Sequence, residues 1–270
     1  MQISSAERRK FQRELFTFYD QHGRHDLPWR ITCDSYAIMV SEIMLQQTQV
    51  GRVIPKFQAF LQQFPSVRAL ASASLGDVLV AWQGLGYNRR AKFLWQAAQM
   101  IEHDFAGVFP REPNTLVKLP GIGKNTAGAI LAYAFNQPAL FVETNIRTVF
   151  IHYFWPDQQA VSDNEIVDVL GQVIDTEQPR EFYWALMDYG THLKTTVGNN
   201  IKRSKHYAKQ SPFDGSRRQV RGAVIRTLIQ RGHSLIELQS IVPDPRLPEV
   251  LNQLKHEKMI TLTDDIYHLA

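Results

Sequence analysis

The chain has 270 residues, 44% hydrophobic and 21% charged, with a formal net charge of +4, a composition that builds a packed core and excludes wholesale disorder, collagen and coiled coil. Its single cysteine, Cys33, excludes an intramolecular disulfide and any four-thiolate zinc or iron–sulfur centre. No stretch approaches the ~20 apolar residues that span a bilayer, and the charged opening MQISSAERRKFQREL lacks the apolar core of a secretory signal, so no membrane partner and a cytoplasmic location are expected.

Phe11, Leu15, Phe18 and Tyr19 recur at helical spacing and predict a helix over 5–20. The segment 27–30, Leu-Pro-Trp-Arg, interrupts it. Helices are expected over 35–48 and 52–63, then over 77–82 and 91–101, these last two parted by Gly84-Leu85-Gly86-Tyr87. A short helix over 113–117 ends at the Leu-Pro-Gly-Ile-Gly run of 119–123. An alanine-rich helix over 124–135 follows, and helices over 145–154, 163–174 and 180–189 complete the set. Alternating strand patterns are absent, so residues 1–198 read as one all-helical domain. Residues 199–221 hold seven basic side chains against Asp214 alone, a net +6 that exceeds the charge of the whole chain. With its Gly, Ser, Pro and Asn, the part over 199–216 reads as a basic linker. Beyond it, helices over 217–230, 234–241 and 247–258 precede two short strands, 259–262 and 266–269, around Asp264-Asp265. Three helices and a small hairpin give 217–270 the outline of a winged helix. Its third helix offers Asn252, Lys255, His256 and Lys258 to a nucleic acid.

The strongest local signal is the run LPGIGKNTAGAI (119–130). Two helices joined by a Gly-x-Gly turn leave backbone N–H groups free at the start of the second helix, where the helix dipole favours a DNA phosphate. Gly121, Gly123, Lys124 and Thr126 are the expected backbone contacts.

SEIMLQQTQV (41–50), WQGLGYNRRA (82–91), LPGIGKNTAGA (119–129) and ALMDYG (185–190) occur in the same order in A/G-specific adenine DNA glycosylases, members of the helix-hairpin-helix base-excision superfamily. The chain resembles that family over roughly residues 10–195. The resemblance implies a mainly α, helix-hairpin-helix DNA glycosylase fold, here followed by the small winged-helix-like domain. It also implies a monofunctional enzyme of base excision repair, acting as a monomer on double-stranded DNA that carries a mispaired or damaged base. Adenine opposite guanine or 8-oxoguanine is the favoured substrate. Removal of mispaired thymine or uracil on the same scaffold is the enzymatic alternative, and a non-catalytic lesion-binding protein is the other.

The resemblance also assigns residues. Breaking an N-glycosidic bond calls for an acid at the leaving base and a negative charge beside the cationic sugar. Glu42 takes the place of the acid, and its apolar surroundings between Met39 and Leu45 would raise its pKa. Glu143, in FVETNIRTVF (141–150), stands where the family has Asp. The extra methylene matters, since ~1 Å of displacement can cost ~100-fold in rate. Asn145 supports the site. Asn125 stands where relatives with lyase activity carry a lysine nucleophile, which implies attack by water instead. Trp29, Arg30, Asn125, Met187 and Asp188 fall at positions of the base pocket, Arg30 as a contact to the base edge. Gln46, Gln47 and Tyr87 fall at positions that wedge into the duplex when the target base is flipped out. Residues 191–216 lack the four cysteines with which most relatives hold a [4Fe–4S] cluster, so no cofactor is expected beyond a monovalent cation at the hairpin carbonyls. Lys202, Arg203 and Lys205 are expected to supply phosphate contacts in the place of the cluster loop.

Overall fold

A computed structural model describes residues 1–270. In chain order the helices are α1 (Ser5–His22), α2 (Ser35–Leu45), α3 (Val50–Gln63), α4 (Val67–Ala71), α5 (Leu75–Ala81), α6 (Arg89–Asp104), α7 (Pro113–Leu116), α8 (Lys124–Phe135), α9 (Thr144–Phe154), α10 (Asp163–Val173) and α11 (Pro179–Thr196). A 3-10 turn over Asn200–Arg203 follows, then α12 (Arg217–Leu228), β1 (His233–Ser234), α13 (Leu235–Ile241), α14 (Leu247–His256), β2 (Ile260–Thr263) and β3 (Ile266–Leu269).

The helices start where their capping chemistry dictates. Ser4 with Glu7, Ser162 with Glu165 and Ser234 with Glu237 form reciprocal capping boxes at α1, α10 and α13. Asp34 accepts from the N–H groups of Tyr36 and Ala37, both at 3.2 Å, and so opens α2. Three elements lie outside the sequence reading. The five-residue α4 is too short for a periodic signal, α11 runs on to Thr196, and the two residues of β1 carry no strand pattern. With β1 the hairpin becomes a three-stranded antiparallel sheet of order β1-β3-β2, in register Ser234↔Ile266 and Ile260↔Leu269.

The chain forms two compact units, each assembled from separate segments. The first comprises residues 1–42, 111–118 and 122–209; the second comprises 43–110, 119–121 and 210–270. These differ from boundaries at 198 and 216 drawn on composition. The first unit is centred on Phe11, which meets Phe150 and Phe182 edge-on at 5.7 and 6.4 Å between ring centroids, a geometry favoured by the ring quadrupoles. Phe141 and Tyr183 stack at 4.2 Å beside them. The core of the second unit takes Val53, Phe60, Trp82 and Leu94, with Val224, Leu238, Val250 and Leu254 under its small sheet. Within this unit the C-terminal helices are fastened by Glu257, at the end of α14. Its carboxylate accepts from Arg221 at 2.7 and 3.2 Å and from Arg89, and its carbonyl accepts from Lys92. Asn252 and His256 line a shallow cleft with Arg89 beside that cluster.

Candidate active site

Glu42 lies on α2 among buried Met39, Val40, Ile43 and Met44. The side chain keeps part of its surface open, but the carboxyl is enclosed by protein. Burial pushes its pKa up to about 8, the Glu143 charge adds to the rise, and Arg30 opposes it. At neutral pH Glu42 is therefore largely protonated and able to donate.

Glu143 is the N-cap of α9. Its Oε1 accepts from the Asn145 backbone N–H at 2.7 Å. Glutamate is long for a cap, and the extra methylene is absorbed by folding the side chain back onto its own helix start. Its pKa is raised as well, burial outweighing the four groups that pull it down: the N–H groups of Asn145 and Ile146 and the charges of Lys194 and Arg147. The two carboxyls thus sit in unlike surroundings: Glu143 has N–H donors and Lys194 against its burial, and Glu42 has only the Arg30 charge. Gly190 on α11 explains how α9 is held so closely. A Cβ there would stand 2.6 Å from the Asn145 carbonyl oxygen, so only glycine lets the two helices approach this far. Asn145 Nδ2 lies 3.7 Å from the Met187 sulfur. Asn125, at the start of α8, donates its amide to the Val142 carbonyl at 2.7 Å and pins the segment that carries Glu143.

Arg30 does not present itself to a base. Its guanidinium is gripped by Asp188 at 2.7 and 3.0 Å and donates to the Arg24 carbonyl at 3.2 Å. Both side chains of the pair are 3% exposed. Asp188 also accepts from the Arg24 backbone at 2.8 Å and from the Arg24 side chain. The expected edge-reading role of Arg30 is corrected to that of a buried clamp, because a buried guanidinium needs a carboxylate more than an exposed base does. Trp29, beside it, is buried.

In the second unit Gln47 and Tyr87 both adopt left-handed backbone conformations, φ 55° and 49°, which cost non-glycine residues energy and concentrate at functional sites. Arg90 holds the turn that carries Gln46 and Gln47. It donates to the carbonyls of Ile43, Met44 and Gln46 at 2.6–3.0 Å. The Tyr87 ring lies between the guanidiniums of Arg90 and Arg218, 5.5 and 5.4 Å from its centroid. Its hydroxyl contacts Arg218 and Gln210, and Gln210 donates to Gln47 at 3.1 Å. No local pattern in the sequence announces that α12 and the preceding segment handle these residues.

The hairpin turn forms as expected. Gly121 has φ 78° and packs on Phe93, where a Cβ would clash at 2.8 Å. Gly123 caps α8 with no side-chain bond over the first turn, and Gly123 and Lys124 are exposed, leaving helix N–H groups facing solvent.

A family model described as HhH-GPD superfamily base excision DNA repair protein matches residues 40–169. The adenine DNA glycosylase of Mycolicibacterium smegmatis is 35% identical over 239 residues, 80% of this chain and 79% of its own length. The chain belongs to the adenine DNA glycosylase family. The family member of Buchnera aphidicola (strain APS) is 36% identical over 69% of this chain and 54% of its own length, and the human one is 37% identical over 70% and 37%. The chain thus spans about half the length, or less, of several curated relatives it matches. A thermostable thymine-DNA glycosylase superposes with a TM-score of 0.63 at 24% identity, over 73% of this chain and 91% of that one. An endonuclease III bound to DNA superposes with a TM-score of 0.57 at 17% identity, over 81% and 94%. These two likenesses establish the helix-hairpin-helix glycosylase fold.

The cluster that most members of this family carry does not fit the residues of this one. Four thiolates are needed, and the chain's one cysteine, Cys33, is exposed near the start of α2. In the segment after α11, buried Ile201 and the bridge between Ser204 and Val161 anchor the backbone, with Val161 N–H donating to Arg203 and Lys205 N–H donating to Val161, both at 2.9 Å. Arg203 donates to the carbonyls of Trp155, at 3.0 Å, and Pro156. It fastens the segment to the end of α9, which corrects its expected role as a free phosphate contact. Lys202 and Lys205 are exposed and uncommitted to such a bond.

Proposed function

We propose that this chain is a monofunctional DNA glycosylase that hydrolyses the bond between adenine and deoxyribose where adenine is mispaired with guanine or 8-oxoguanine. The observation that carries this reading is the unlike setting of its two carboxyls: Glu42 is raised to about 8 by burial, whereas at Glu143 two N–H groups and two cations oppose the effect of burial. The target adenine leaves the stack, while Gln46, Gln47 and Tyr87 fill the space it vacates. Glu42 donates its proton to the departing base as the C1′–N bond breaks. Glu143 stays charged beside the cationic sugar, and water adds its hydroxyl to C1′ as its proton passes to the carboxylate left on Glu42, which restores the acid. Asn125, committed to the Val142 carbonyl, offers no amine to the sugar, which supports water as the nucleophile. Gly121, Gly123, Lys124, Thr126, Lys202 and Lys205 supply the phosphate contacts.

Replacing Glu143 with Gln tests the role of the charge. Base release from an A:8-oxoguanine duplex is expected to fall at least ~100-fold, with affinity for the duplex kept within a few-fold. Retained release in this variant would remove Glu143 from the mechanism.

A further inference from the structure

Lys194 projects from α11 one turn beyond Gly190, the residue that lets this helix close on α9. Its ammonium donates to Asn145 Oδ1 at 2.6 Å, and the backbone N–H of the same Asn145 donates to Glu143 at 2.7 Å. Lys194 is half-buried and lines, with Thr144, Asn199, Ile201, His206 and Tyr207, an open cavity of about 390 Å³.

The charges that face Glu143 are unequal in what they have left to give. Arg30 is neutralised by Asp188. Arg147, on the same helix as Glu143, is held bidentately by Asp163 at 2.7 Å, and His206 lies 4.0 Å from that same carboxylate. Glu42 on α2 is largely protonated at neutral pH and adds no full charge, and Tyr133 on α8 is a neutral phenol whose ionisation burial and both carboxyls oppose. Lys194 alone among these cations has an uncharged carboxamide for its direct partner. Burying an ammonium without a carboxylate against it is costly, and Glu143 is the charge near enough to compensate for it.

We propose that Lys194 is a positioning residue for base release: through Asn145, and by its charge, it holds Glu143 in place and ionised. The inference rests on the proposed role of Glu143. It gives the segment after α11 a task besides phosphate contact, since that segment lines the cavity beside the ammonium and leaves it half-buried, where its field is stronger than in bulk water.

The test is single-turnover adenine release by the full chain on an A:8-oxoguanine duplex between pH 5 and 9, for the wild type, Lys194→Met and Lys194→Arg. Without the ammonium, Glu143 gains a proton at higher pH. The acid limb of the Lys194→Met profile should therefore move up by about one unit, a loss that reaches about 10-fold on the acid side of the limb and disappears on its alkaline side, with duplex affinity kept. Lys194→Arg should restore the limb. A loss by the same factor at every pH, or an unmoved limb, would overturn the proposal. Should Lys194→Met fail to fold, Lys194→Gln keeps a donor for Asn145 without the charge, and the same shift is expected. A wild-type protein that releases no base from any duplex would overturn the proposed function itself, an outcome distinct from an unmoved limb in the variants.

Discussion

Glu42 carries a conflict that can be measured. Its carboxyl titrates near 4.5 in the unfolded chain and near 8 in the folded one. A folded pKa above the unfolded value stabilises the fold at low pH. That contribution is complete below about 4.5 and drains away as pH rises towards 8. Glu42→Gln removes the titration, so at pH 8 this variant should be more stable than the wild type by about 4 kcal/mol, seen as a higher Tm, and nearly equal to it near pH 4.5. The same variant should lose base release by two to four orders of magnitude. In the wild type the alkaline limb of the rate profile should fall near pH 8, where the acid gives up its proton. An alkaline limb two units away from that would contradict Glu42 as the donor.

At the scale of elements, the clamp on α11 shows what local sequence cannot reveal. Arg30 sits in a Leu-Pro-Trp-Arg segment that the family resemblance ties to the base pocket, and nothing within a few residues of it announces Asp188. Ion pairing between residues 158 apart in sequence has no periodic signature. Replacing Asp188 with Ala leaves two arginines without their carboxylate, so stability should drop by about 3–5 kcal/mol, read in denaturant midpoints, whatever base stands in the duplex. Arg203 carries the same lesson. It is one of seven basic residues in a charged stretch, yet its guanidinium is spent on two carbonyls at the end of α9. Arg203→Ala should therefore lower thermal stability with little change in the salt dependence of DNA binding. By contrast, the Gly-x-Gly turn and the apolar run around Glu42 are local features, and there the sequence reading and the structure agree closely. The two-residue β1 and five-residue α4 escape a sequence reading because neither is long enough to complete a period.

Across the whole molecule, the placement of charge is more informative than its total. The excess of the 199–221 segment divides in the structure between groups that hold the fold, Arg203, Arg217, Arg218 and Arg221, and groups left to solvent, Lys202, Lys205 and Lys209. Reversing the charge of Lys202 and Lys205 together should weaken binding to any duplex. The slope of log affinity against log salt should fall by about 2, because each lysine neutralises one phosphate. The motifs that identify the family are contiguous in sequence and so are legible from it. The grouping of residues 210–270 with 43–110 is not, because it depends on Glu257 meeting Arg89, Lys92 and Arg221, and no local pattern encodes that meeting. The central claim is that Glu42 and Glu143 remove adenine by hydrolysis. Its most direct test is base release on labelled duplexes carrying A:8-oxoguanine, A:G, T:G, U:G and matched pairs, each divided into portions with and without alkali. Strand cleavage confined to the A-containing mispairs and dependent on alkali is the predicted result. Release of thymine or uracil instead, cleavage without alkali, or binding with no release on any duplex would contradict it.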